Sequence, residues 1–96
     1  MEQELIVKWK IKESETSRIV NLLPQLVEKT RSEEGNLLYN IYQSVNNVNE
    51  LVLHERYDSA EALEAHKNSS HYLHTVQDQI IPYLEMREVS LLKKLF

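Results

Sequence analysis

The chain has no cysteine, one glycine, two prolines, one tryptophan and one phenylalanine in 96 residues. Without cysteine there is no disulfide, no thiolate nucleophile and no Cys-ligated zinc site. A single glycine leaves no room for a Gly-rich phosphate loop, a dinucleotide fingerprint or a G-x-S-x-G elbow. The sequence therefore carries no sign of flavin, nicotinamide or ATP, and no cofactor is expected. So little glycine and proline does not suit a flexible linker, and with no internal repeat, residues 1–96 are expected to form one domain. No segment approaches the ~20 apolar residues of a spanning helix. The N-terminus, "MEQELIVKWKIK", is charged and alternating, with no apolar run of secretory length. A cytoplasmic protein with no membrane partner is the expectation. The formal charge of −4 argues against nucleic acid as a partner as well. A domain this size buries only roughly two-thirds of its unfolded surface. It has room for a small molecule at limited depth, and a second copy would add more.

What is present is periodic. In "LIVKWKIK", Leu5, Val7, Trp9 and Ile11 alternate with Ile6 and three lysines, the period of a strand with one apolar face. "SETSRIVNLLPQLVEKTRSEEG" places Ile19, Leu23, Leu26, Val27 and Thr30 at helical spacing. Pro24 predicts a kink there, and Gly35 a left-handed C-cap. "NLLYNIYQ" is apolar on both faces, which suits a central strand. The turn residues of "SVNNVNE" and a third strand, "LVLHERY", complete a hairpin. Asp58 and Glu61 have capping-box spacing before a helix over about 60–67. "NSS" interrupts that helix, and Tyr72, Leu73, Val76 and Ile80 form the stripe of a second piece. "EMREVSLLKKLF" reads as a last strand. The order β-α-β-β-α-β is the α+β, ferredoxin-like plan: an antiparallel sheet with helices on one face.

Several polar residues fall where apolar ones are expected. Glu55 shares a strand face with Leu51, Leu53 and Tyr57. It is an ion-pair partner of Arg56 or a helix lysine, or lies on the exposed face, or is a carboxylate with a shifted pKa at a cavity wall, suited to moving protons. Three of the four histidines lie between His66 and His74. His66 shares a helical side with Leu63, and is either a packed helix residue or an acid/base group. His71 lies beyond the break, and His74 is expected to face solvent. The spacing lacks the i, i+4 pair of a helical zinc motif and no helix carboxylate offers a third ligand, so no metal is expected. Asn40 sits inside an apolar strand, and its amide needs either a loop partner or a ligand oxygen. Trp9, Tyr39, Tyr42, Tyr57 and Tyr72 are core residues by default and also suit a flat aromatic ligand.

"EEGNLLYNIYQ" followed by "LVLHERYDSAEALEAHKNSSHY" resembles the antibiotic biosynthesis monooxygenase family. The family pattern combines an acidic-Gly turn, an aromatic on the next strand and an E-x-[W/Y] strand end. It continues with A-H-x-x-[S/T]-x-H and an aromatic. The matching residues are Glu34-Gly35, Tyr39, Glu55-Arg56-Tyr57 and Ala65 to Tyr72. The resemblance implies a homodimeric α+β barrel with one pocket per subunit. It also implies a cofactor-free monooxygenase that oxidises a quinol or another small aromatic or enolisable substrate with dioxygen. The alternatives are isomerisation of a phosphorylated quorum-signal diketone, and a non-catalytic small-molecule-binding dimer. A haem-degrading role is not expected, because the first strand has no Asn and Val76 aligns with the iron ligand. The resemblance gives His66 the role of base and Glu55 that of orienting group or second proton carrier. His71 and Asn40 would stabilise the anion, and Tyr57, Tyr72 and Trp9 would shape the pocket.

Overall fold

A computed structural model describes residues 1–96. It contains β1 (Gln3–Ile11), α1 (Thr16–Arg31), β2 (Asn36–Gln43), β3 (Glu50–Tyr57), α2 (Ala60–Lys67) and β4 (Leu84–Leu92). A π-helical stretch, Tyr72–Gln77, lies between α2 and β4. The four strands form one antiparallel sheet in the order β2-β3-β1-β4. This is the expected β-α-β-β-α-β plan.

The alternation in β1 does what a period of two requires. Leu5, Val7, Trp9 and Ile11 are buried and join Ile19 and Leu26 of α1, Leu63 of α2, and Val76 and Ile80 in one core. Strand register then builds a row across the sheet. Tyr39 pairs with Glu55, Glu55 with Leu5, and Leu5 with Leu91. Residues directly opposite in neighbouring strands share a face, so Glu55 points from the middle of the sheet into the core side.

The opposite face carries Ile6, Lys8, Lys10, Val52, His54, Arg56, Asn40 and Tyr42. Two cross-strand pairs bind parts of it together, His54 with Glu4 at 2.6 Å and Arg56 with Glu2 at 2.6 Å. Arg56 is therefore not the partner of Glu55.

Three local expectations change, those for β2, Gly35 and the cap of α2. β2 is an edge strand, not a central one. Its second apolar side is left uncovered, with Tyr42 55% exposed. α1 continues through Pro24, as its apolar stripe led one to expect, with the proline on the exposed side of the helix. Gly35 has no positive φ, and α1 ends earlier, at Arg31, with Ser32 bonded back to Glu28. Glycine is needed at 35 for a different reason. A Cβ there would collide with Ala62 Cβ and come within 2.9 Å of Asp58 Oδ1. The cap of α2 is Ser59, whose hydroxyl accepts from Ala62 N at 3.1 Å, rather than Asp58.

Beyond Lys67 the "NSS" segment breaks α2 as expected. Ser69 Oγ caps the new start by accepting from Tyr72 N at 3.2 Å. The wider π turn then alters the helical stripe. Val76 and Ile80 are buried, Tyr72 is half-buried, and Leu73 is exposed.

Candidate active site

α2 and the π-helical stretch lie over the core side of the sheet and leave a small, partly open cleft whose cavity volume is about 50 Å³. Its floor is apolar, with Val7, Trp9, Leu53 and Val76 among the lining residues. The polar groups within it are few, and they converge on His66.

His66 is only 3% exposed. Its ring lies 5.2 Å from Tyr57, 5.8 Å from Tyr39 and 5.1 Å edge-on from Tyr72, centroid to centroid. These contacts lock the imidazole in place. Glu33, in the loop after α1, accepts from His66 Nδ1 at 2.7 Å. The same oxygen, Oε2, accepts from His71 Nε2 at 2.5 Å. An ionised carboxylate has no proton to give, so each histidine must donate. His66 is thereby held as the Nδ1–H tautomer when neutral. Its free lone pair, on Nε2, is directed to the cleft side, 3.9 Å from Glu55 Oε1. A carboxylate behind an imidazole, with the other nitrogen free, is an arrangement that orients a general base and stabilises the imidazolium it becomes.

Glu55 is 5% exposed. Burial raises its pKa above the ordinary 4.5. The hydrogen bond from Tyr57 and the nearby His66 pull it down, Glu33 pushes it further up, and Arg87 opposes that. Tyr57 OH donates to Glu55 Oε1 at 2.8 Å. Burial, and then the Glu55 charge, push the Tyr57 phenol well above its usual range. Tyr57 is thus a fixed donor rather than an acid. Burial raises Tyr39 likewise. The cleft thus combines a histidine with one free nitrogen and a carboxyl group biased toward its protonated form, a pairing suited to receiving one proton and supplying another.

The expected site residues divide. His66, Glu55, Trp9 and Tyr72 line the cleft, and Tyr57 braces it from behind. His71 lies beside His66 but bonds its Nε2 to Glu33, so it holds Glu33 rather than facing a ligand. Asn40 is a correction. It pairs with His54 in the register, on the opposite face of the sheet from Glu55. There its Oδ1 accepts from Arg31 Nη2 at 3.1 Å, so its amide is satisfied at the sheet edge and cannot reach the cleft. His74 is exposed. Sequence reasoning missed Glu33 as a site residue, and it also missed the cleft cations Lys67 and Arg87. It found no helix carboxylate to serve as a third metal ligand, yet the loop after α1 brings Glu33 to His66 and His71, with one ligand atom from each within 4.8 Å of the others.

Residues 4–78 match the antibiotic biosynthesis monooxygenase family, and the chain belongs to it. Among relatives, it is 46% identical over 52 residues to "Putative monooxygenase Rv0793" of Mycobacterium tuberculosis, a stretch covering 54% of this chain and 50% of that protein. In that alignment the chain spans about half the length of its curated relative. The solved structure of Rv0793 superposes with a TM-score of 0.90 at 32% identity, covering 100% of this chain and 97% of that one. A crystal structure described as an antibiotic biosynthesis monooxygenase gives a TM-score of 0.91 at 25% identity, covering 99% of each chain. No helix is long and apolar enough to cross a membrane.

Proposed function

We propose that this protein is a cofactor-independent monooxygenase for a small phenolic or enolisable substrate bound in the cleft, working as a homodimer. The family supports monooxygenase chemistry, and the observation that carries the finer reading is the Glu33–His66–Glu55 arrangement. His66 Nε2 takes a proton from a substrate O–H or from a C–H beside a carbonyl. Glu33 stabilises the resulting imidazolium through Nδ1–H. The substrate anion transfers electrons to dioxygen, and a new C–O bond gives a carbon-bound hydroperoxide. Loss of water leaves a carbonyl where a CH2 stood, so one oxygen atom enters product and the other leaves as water. Glu55, biased toward its protonated form, supplies the proton that the departing oxygen requires. Such a general base typically contributes about 10²–10⁴ in rate.

Lys67 and Arg87 among the cleft residues favour a second reading, in which an anionic substrate such as a phosphorylated diketone is isomerised. There the same proton leaves one carbon and returns at another atom, and no oxygen is consumed. The deciding experiment follows hydroquinones, polycyclic phenols and phosphorylated diketones with an oxygen electrode, and repeats any productive case anaerobically. Product that vanishes without dioxygen supports the oxygenase. Product that persists supports the isomerase and overturns the oxygenase.

A further inference from the structure

Glu33, His66 and His71 come from three separate segments: the loop after α1, the end of α2, and the start of the helical piece beyond the "NSS" break. One carboxylate oxygen holds both imidazoles. The other, Glu33 Oε1, is buried with no hydrogen-bond partner. A buried carboxylate oxygen without a donor is an unmet demand for positive charge. Two neutral imidazoles and one carboxylate form a donor set that zinc accepts while keeping a fourth position open.

The spacing is compatible. A tetrahedral ion with bonds of about 2.0–2.2 Å holds its ligand atoms about 3.3 Å from one another. Here the two N–O separations are 2.7 Å and 2.5 Å, and all three ligand atoms lie within 4.8 Å. Entry of the ion requires the carboxylate to withdraw by about an ångström and each nitrogen to exchange its proton for the metal. Two groups oppose a cation: Lys67 and Arg87 line the same cleft. Affinity is accordingly expected in the micromolar rather than the nanomolar range.

We propose that Glu33, His66 and His71 form a reversible zinc site that silences His66 by switching its tautomer. Without zinc, Nδ1 of His66 carries the proton that Glu33 accepts, and Nε2 is free. With zinc on Nδ1, the single proton of the neutral ring must sit on Nε2. That nitrogen then has no lone pair to receive a substrate proton. Zinc here is an inhibitor competing with protons, not a participant in the reaction. The metal site stands on its own geometry, whereas the inhibition rests on the reading of His66 as base.

The test uses the purified full chain and zinc chloride. Isothermal titration at neutral pH, with a chromogenic chelator in competition, is expected to show one zinc per chain with proton release. Glu33→Gln and His71→Ala should each weaken it by roughly tenfold or more, with thermal melts confirming that both fold. His74→Ala and His54→Ala should leave it unchanged, the latter because the exposed-face His54–Glu4 pair offers only two ligands. Long-range ¹⁵N–¹H spectra should show His66 protonated on Nδ1 without zinc and on Nε2 with it. Equal affinity in wild type, Glu33→Gln and His71→Ala, or loss of binding only in His54→Ala, would overturn the site. Zinc binding and a tautomer change without loss of turnover would leave the site standing and overturn His66 as the base.

Discussion

Glu33 Oε2 lies 2.7 Å from His66 Nδ1 although the two residues are 33 positions apart in the chain. The same oxygen reaches His71, 38 positions away. This bond decides which nitrogen of His66 is available, and two predictions follow from it directly.

The first concerns the base. His66→Ala should lower turnover by about 10²–10⁴ with little change in fold, while His74→Ala, on an exposed position, should match wild type. Steady-state kinetics on the productive substrate from the oxygen-electrode screen measure both. Full activity in His66→Ala together with loss in His74→Ala would reverse the assignment.

Glu33 is a positioning residue by its geometry. Glu33→Gln should lower kcat more than it raises KM, because the amide stabilises an imidazolium poorly but touches no substrate. Long-range ¹⁵N–¹H spectra of this variant should also show neutral His66 no longer held with its proton on Nδ1, because an amide can meet that nitrogen as donor or acceptor. Unchanged kinetics and an unchanged tautomer would reduce Glu33 to a packing role.

Glu55 links the site to stability. Its folded-state pKa is raised above 4.5, mainly by burial. The protonated form is therefore favoured by folding. Its contribution is fully present below the unfolded value and is lost as pH rises through the folded one. Glu55→Gln mimics the protonated acid at every pH. Urea midpoints of wild type and Glu55→Gln should therefore diverge with rising pH, the variant gaining relative to wild type. The same variant should turn over slowly, because an amide cannot deliver the proton. A stability difference independent of pH would contradict the burial argument.

Gly35 provides a purely steric case. Gly35→Ala places a methyl against Ala62, at the first turn of α2. Overpacking of this kind typically costs about 1–3 kcal/mol. Urea unfolding should show it, and Ala62→Gly in the same chain should restore part of the loss.

Dimerisation is predicted from the sheet face opposite the helices and from β4. Leu91 is 66% exposed and Leu92 45%, with the two leucines on opposite faces of the sheet. A second copy across a two-fold axis would cover such surface. Sedimentation should give twice the 11.4 kDa chain mass at micromolar concentration. A stable monomer would refute it.

The sequence was most informative where one periodicity operated over a whole element. β1, β3 and α2 were legible because alternation and the i, i+3 pairing of Leu63 with His66 fix a direction from local geometry. Glu55 stood out because a carboxylate continued an apolar row. β2 was misjudged because apolar residues on both sides look alike whether the neighbour is a strand of the same sheet or a second subunit. Asn40 was misplaced because its identity, not its register, was weighed, and one step along a strand reverses its face. Glu33 was invisible for a deeper reason. It lies outside any periodic element, and its partners are set by how the loop after α1 meets α2, where Gly35 allows the close approach.

The turn between β2 and β3 divides the chain so that Glu33 lies before it and Glu55, His66 and His71 after it. A chain cut within residues 44–49 would thus leave each fragment with an incomplete set. Their reassociation would restore the contacts of Glu33 with His66 and His71 together with the sheet, making split-protein complementation a readout of folding at a single imidazole.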